Sequence, residues 1–227
     1  KHTYDPLGRK TKQELVYFGA LLTIEQFSYD NWNRILCTAT RMNLSSVETN
    51  ACNAGSSSNF GYDRITKNVY DDAGQLIEVY KAFNTPLEQV YATYEYSENG
   101  KVTAVIDAKE NKSTFRYDGY DRQTHWYFPS KTTGSSSHST TDYEQYGYDL
   151  NDNRISFRNR GAVTIVFQYD SLNRLIKKTI PERSGLAATH SQDIFYGYNN
   201  IGLQLYARFG SHSGPGVTRT YDIAGRM

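Results

Sequence analysis

Apolar positions in this chain come in short runs of aliphatic, β-branched and aromatic residues, separated by tight polar clusters rich in Asp, Asn and Gly. Residues 161–180, GAVTIVFQYDSLNRLIKKTI, show the unit: a β-branched and aromatic run, a polar cluster, and a second run carrying Leu175, Ile176, Thr179 and Ile180. Short apolar runs bounded by turn formers are strand signals, and no long stretch follows the spacing of an amphipathic helix. The pattern predicts a nearly all-β chain of tandem antiparallel hairpins.

The polar clusters are copies of one phrase. Aligned on tyrosine they read YDPLGR at Tyr4, YDNWNR at Tyr29, YDDAGQ at Tyr70, YSENGK at Tyr96, YDGYDR at Tyr117, YDLNDN at Tyr148, YDSLNR at Tyr169, YNNIGL at Tyr198 and YDIAGR at Tyr221. The shortest period, 21 residues, occurs twice and is the bare unit. It fits two strands of about seven residues, each about 23 Å long, and two tight turns. Longer periods, up to 41 residues, carry insertions.

After each tyrosine stands Asp5, Asp30, Asp71, Ser97, Asp118, Asp149, Asp170, Asn199 or Asp222. Each offers a short oxygen-bearing side chain that can accept a hydrogen bond from an amide two residues on and so open a turn. Three residues further on stand Gly8, Asn33, Gly74, Gly100, Asp121, Asp152, Asn173, Gly202 and Gly225. These residue types tolerate positive φ, where a β-branched side chain would press its Cβ on the carbonyl. A type I turn followed by one left-handed residue has this spacing, so the phrase reads as a hairpin turn. Two positions before the tyrosine lie Phe27, Tyr94, Phe115, Tyr146, Phe167 and Tyr196, on the same strand face as that tyrosine. Hairpins laid side by side are expected to line these rings into aromatic ladders.

Composition changes the picture in one respect. Leu, Ile, Val and Phe total only 46 of 227 residues while Tyr alone supplies 20, so the core is thin and half-buried rings must carry much of the packing. The formal net charge of +1 leaves no electrostatic footprint for nucleic acid or an anionic membrane. No apolar run is long enough for a membrane helix, which argues against membrane insertion. Four polar inserts, at about 43–61, 129–142, 181–193 and 210–217, read as surface loops within a single repeat array spanning 1–227. Both ends of the chain fall inside the repeated phrase, which reads as a segment of a longer polypeptide.

Catalytic chemistry finds little support. A general acid or base repeated nine times makes no sense for one active site, so the Tyr-Asp pairs read as turn and ladder residues. His2, His125, His138, His190 and His212 have no metal-ligand spacing to one another or to cysteine, and no phosphate-binding loop, nucleophile elbow or zinc-protease helix occurs. No cofactor is expected. Cys37 and Cys52 bracket the first insert and form either a disulfide closing a loop of about 15 residues or two thiols buried in a reducing compartment. Arg9, Arg34, Arg122, Arg174 and Arg226 follow the left-handed residue and can pair with a turn aspartate, stack on a tyrosine, or form a row for an anionic ligand.

Tyr-Asp, two variable residues, Gly or Asn, then Arg, repeated along the whole chain, resembles the Rhs or YD-repeat family of bacterial polymorphic toxins, the B and C components of insecticidal toxin complexes, and teneurins. The resemblance implies a curved sheet forming part of a spiral β-shell. It implies a non-catalytic wall whose partners are the remainder of its own shell and an enclosed C-terminal toxin domain, in a secreted or cell-surface bacterial protein. The alternative within the same resemblance is an adhesion or filament module that binds glycans or self-associates through its sheet. Two copies depart from the phrase, YSENGK and YNNIGL, and the family's Asp-Pro-x-Gly-Leu cleavage motif is absent from the segment, so self-cleavage is not carried over.

Overall fold

A computed structural model describes the whole chain apart from residues 46, 56–58, 183, 186, 188 and 189, so parts of the inserts at 43–61 and 181–193 lie outside the described residues. The fold is all-β. In chain order the strands are β1 His2–Tyr4, β2 Lys10–Tyr17, β3 Ala20–Tyr29, β4 Ile35–Arg41, β5 Arg64–Tyr70, β6 Leu76–Lys81, β7 Gln89–Tyr96, β8 Val102–Asp107 and β9 Lys112–Tyr117. They continue with β10 Gln123–Pro129, β11 His138–Tyr148, β12 Arg154–Arg158, β13 Thr164–Tyr169, β14 Leu175–Thr179, β15 Ile194–Tyr198, β16 Gln204–Phe209 and β17 Gly216–Thr218. The chain forms two compact units, one of Lys1–Thr114 with Pro129–His138 and one of Phe115–Phe128 with Ser139–Met227.

Within each unit every strand pairs antiparallel with the next, as in β2 with β3, β3 with β4, β12 with β13 and β15 with β16. The first eight Tyr-Asp phrases join odd strands to the following even ones, and the ninth follows β17, so within a unit they line up along one edge of the sheet. Every long connection joins an even strand to the following odd one and lies along the opposite edge.

All nine left-handed positions adopt positive φ, from 59° at Asn173 to 88° at Gly202. In each turn the left-handed residue's amide donates to the carbonyl of the turn opener, for example Gly74 N to Asp71 O at 3.0 Å, and the opener's amide donates across to the residue four on, Asp71 N to Gln75 O at 3.0 Å. The strand register slips by one residue just before the tyrosine, between Val69 and Tyr70 and at the matching place in other copies, as a bulge following a left-handed residue requires. Gly74 sits at φ 84° beside the exposed, unconstrained Ala73. Gly74→Val is therefore expected to cost well over 1 kcal/mol and Ala73→Val a few tenths, read as shifts in denaturant midpoint; equal effects would refute the turn geometry.

Two further turns of the same form close the opposite edge. Asp107 to Asn111 and Asn159 to Val163 repeat both hydrogen bonds, with Glu110 and Ala162 left-handed at φ 60° in each case. Neither has the preceding tyrosine, and Glu and Ala are not left-handed types, so the repeat pattern passes over them.

Three of the inserts differ from expectation. Strand pairing continues through 138–142, part of β11, and through Gly216 and Val217 of β17, while Pro129 closes β10, so the connections shorten to 130–137 and 210–215. Part of the insert at 43–61 leaves the surface. β4 alternates strictly, burying Cys37, Ala39 and Arg41 on one face, and the insert folds back over that face so that Ala51 is 1% exposed against Cys37, Ala39 and Ile65. Small residues on β4 let the loop approach closely. Among the described residues every fully buried apolar side chain, from Ile24 to Ala104, lies in the first unit.

Candidate functional site

The edge of Tyr-Asp turns is the most repeated piece of side-chain chemistry in the molecule. Six of the seven opener carboxylates use one oxygen to accept two amides, as Asp170 Oδ1 takes Leu172 N and Arg174 N, both at 2.9 Å, while Asp71 Oδ1 takes Gln75 N. The other oxygen of Asp170 accepts Arg174 Nε at 2.7 Å, and the same pairing holds Arg9 to Asp5, Arg34 to Asp30, Arg122 to Asp118 and Arg226 to Asp222. Asn199, lacking the charge, still accepts Ile201 N and Leu203 N through Oδ1 at 3.1 and 2.8 Å. Partial desolvation raises the Asp118 carboxyl, but the Arg122 side chain and two amides more than offset it and hold the group below the ordinary value of 3.8. For Asp170 the Arg174 amide is the leading cause of the same downward shift. A depressed carboxyl stabilises the fold above its unfolded value and loses that contribution as pH falls through the folded one, so the turns weaken only in acid, below about pH 4.

The tyrosines connect one turn to the previous hairpin. Tyr29 Oη donates to Lys10 O at 2.9 Å, Tyr70 to Ile35 O at 3.0 Å, Tyr96 to Leu76 O at 2.8 Å and Tyr148 to Gln123 O at 3.0 Å. Tyr169 reaches Arg154 O at 3.1 Å, Tyr198 Leu175 O at 2.9 Å and Tyr221 Gln204 O at 2.9 Å. The acceptor is in every case the residue six after the tyrosine of the preceding copy. Phenylalanine cannot make this bond, which explains why the column is Tyr in all nine copies while the position two before accepts Phe or Tyr. That contrast is the signal from which the link was readable.

The arginines run the same way. Arg9 stacks on the Tyr29 ring at 4.7 Å, Arg34 on Tyr70 at 4.3 Å, Arg122 on Tyr148 at 4.8 Å and Arg174 on Tyr198 at 4.8 Å. Their remaining donors reach the next turn: Arg9 Nη1 to Asn33 Oδ1 at 2.7 Å, Arg122 Nη1 to Asp149 O at 2.8 Å and Asp152 Oδ1 at 2.7 Å, and Arg174 Nη1 to Asn199 O at 3.2 Å. Arg9, Arg122 and Arg174 thus combine own-turn pairing, neighbour-turn pairing and ring stacking. Tyr198→Phe keeps the stack and removes only the hydroxyl, and is expected to cost about 1 kcal/mol by orphaning the Leu175 carbonyl. A denaturation midpoint identical to wild type would show that water replaces the link at no cost.

The ring ladder takes a different form from the expected one. Tyr146 stacks on Phe157 across its own hairpin at 5.5 Å, but between hairpins the Arg154 guanidinium intervenes, 5.4 Å from Phe157 and 5.3 Å from Phe167. Lys10 stands over Phe27 in the same way at 4.7 Å. The sequence shows which rings share a face, not that a cation from the neighbouring strand fills the gap between them.

Cys37 and Cys52 are joined in a disulfide. Beside them lies a buried ion pair that sequence reading passed over: Arg41 Nη1 meets Asp63 Oδ2 at 2.7 Å, with side chains 1% and 5% exposed. Arg41 also donates to Gln26 Oε1, to Asn53 O at 2.7 Å and to Asn50 O at 2.8 Å, while Asp63 accepts Met42 N at 2.8 Å and Gly55 N at 2.9 Å. Asp63 also lines an open groove of about 720 Å³ with residues including Thr38, Thr40, Tyr62, Arg64 and Lys81. Its carboxylate, Asp63, has both oxygens committed to structure. Among the described residues no cluster of three His, Cys, Asp or Glu is placed to hold a metal ion.

No protein-family model matches the sequence, and no curated protein does. Solved structures do. TcdB2-TccC3 aligns over 92% of this chain with a TM-score of 0.53 and 16% identity, and TcdB2-TccC3-TEV over 92% with 0.52 and 16%. TcdB2-TccC3 without its hypervariable C-terminal region aligns over 93% with 0.52 and 14%. This chain spans only 13% to 15% of the length of those chains. The fold formed by its linked Tyr-Asp hairpins is that of a stretch of TcdB2-TccC3.

Proposed function

We propose that this chain is a non-catalytic wall segment of a YD-repeat β-shell that encloses a cargo, such as a C-terminal toxin domain, in a secreted or surface bacterial protein. The observation that carries this reading is the tyrosine link. In seven of the nine copies a tyrosine hydroxyl grips the preceding hairpin, so the repeat's chemistry is spent on holding one hairpin to the next and, among the described residues, leaves no convergent set of reactive groups. A wall built this way needs no thick core, in keeping with the scarcity of buried apolar residues in the second unit. The likeness to TcdB2-TccC3 supports the shell, and the existence of that protein in a form without a hypervariable C-terminal region supports a separable cargo. The disulfide supports an oxidising compartment. Electron micrographs of the parent protein test the reading: hollow capsules are expected, and fibres would replace it with the adhesion or filament module.

A further inference from the structure

Among the described residues every arginine but one holds a carboxylate, donates a side-chain hydrogen bond or lies over an aromatic ring. Arg64 is the exception. It stands exposed at the start of β5 and lines the open groove of about 720 Å³ in the first unit. Strand register gives it company. Thr38, Thr66 and Lys81 lie opposite one another across β4, β5 and β6, and Thr40 lies opposite Arg64 two residues along, so all five side chains leave one face of the sheet. It is the face away from Cys37 and Ala39, which the insert covers. Arg64 and Lys81 are about 8 Å apart at Cα by strand geometry, close enough for both to reach one anionic group. Lys81 Nζ donates to Thr66 Oγ1 at 2.9 Å, which holds the ammonium beside the groove floor with two protons unused. The hydroxyls of Thr38 and Thr40 have no hydrogen-bond partner among the described residues, and exposed Tyr62 and Leu87 add apolar surface to the lining.

The nearby carboxylates leave these two cations uncompensated. Asp63 is neutralised by Arg41, and Glu88 Oε2 is turned to the Asn84 amide at 2.7 Å. Glu25, opposite Thr40 on β3, stands two strands from Arg64 and marks the side from which an anionic group is repelled. We infer that the groove binds an acidic sugar, a hydroxylated ring whose carboxylate or sulfate is held between Arg64 and Lys81. A guanidinium fork matches either anion with two parallel hydrogen bonds. Thr38 and Thr40 supply donors and acceptors for the ring hydroxyls, and Tyr62 offers an apolar ring face to the sugar's C–H side. The volume falls within the range of about 300 to 1,000 Å³ for small-molecule sites, so one or two rings fill it. The inference does not depend on the wall reading, since the groove would bind alike on a capsule and on a fibre.

Amide NMR of the full ¹⁵N-labelled chain, titrated with methyl glucuronide, glucose 6-sulfate, uncharged methyl glucoside and acetate, tests this. The two acidic sugars are expected to shift the amides of residues 62–66 and 81–87 saturably, and a response to one of them alone identifies the anion as carboxylate or sulfate. The glucoside, which lacks the charge, and acetate, which lacks the ring, should each bind about tenfold more weakly, the loss expected for a charge-assisted hydrogen-bond set or its neutral complement. Arg64→Gln, an exposed change, should weaken the acidic sugars by about the same factor while the amides of the second unit keep their positions. Thr38→Val with Thr40→Val should weaken the sugars and leave the acetate response as it is. Absence of saturable shifts, acetate binding as tightly as the acidic sugars, or an Arg64→Gln variant that binds like wild type would each overturn the inference. None of these results bears on whether the parent protein is a hollow capsule, which the micrographs decide separately.

Discussion

Arg41→Met is expected to destabilise the first unit by about 3 to 5 kcal/mol, the cost of leaving a carboxylate buried without its counter-ion. The Met42 and Gly55 amides still reach Asp63 in this variant, so the charge stays in place with two of its three partners but no counter-ion. The loss is also topological, because Arg41 is what ties the carbonyls of Asn50 and Asn53 to the sheet. Hydrogen exchange over 48–55 should rise together with the fall in denaturant midpoint. Adding Asp63→Leu removes the stranded charge and should recover part of the loss; a double variant worse than the single one, or a single variant within 1 kcal/mol of wild type, would refute the buried-pair account. The same pair sets an acid limit. Burial raises the Asp63 carboxyl, the two amides and Arg41 outweigh that, and the net position is below 3.8. Its contribution is therefore intact above about pH 4 and disappears as pH falls through the depressed value, so the wild type, but not the double variant, should lose the loop first in acid.

Removing the disulfide is the second large effect. Cys37 and Cys52 are 15 residues apart, and a loop of that size contributes roughly 3 kcal/mol by restricting the unfolded chain. The paired substitution Cys37→Ala and Cys52→Ala is expected to lower stability by about that amount. Titration of denatured protein should find no thiol before reduction and two after. Two thiols before reduction would place the chain in a reducing compartment and remove one support for a secreted protein.

The hairpin turns were legible because the physics that selects their residues is local. Positive φ excludes β-branched side chains at Gly74 or Asn173, and the opener must reach an amide two residues away, so both constraints fall at fixed offsets in the sequence. Tyrosine's hydroxyl partner was not legible in the same way, since it lies some 20 residues off on another hairpin. Only the exclusion of Phe from the column hinted at it. The Arg41–Asp63 pair was illegible for a sharper reason: it occurs once, 22 residues apart, on either side of an insert whose Ser, Gly and Asn content reads as solvated loop. Burial of Ala51 in that insert follows from the small side chains of β4 opposite it, a tertiary fact with no periodic trace. The turns at Glu110 and Ala162 were missed because Glu and Ala lack both the freedom of Gly and the short polar side chain that lets Asn and Asp tolerate positive φ.

The separation of the two sheet edges has an evolutionary corollary. Register from hairpin to hairpin is kept by the tyrosine and arginine links on one side, so the other side is free to change length without disturbing the count. Periods from 21 to 41 residues coexist in one chain for this reason. Sequence can be gained or lost at 130–137 or 210–215 as at a margin, and such a protein can acquire new surface features while its ruled lines stay evenly spaced.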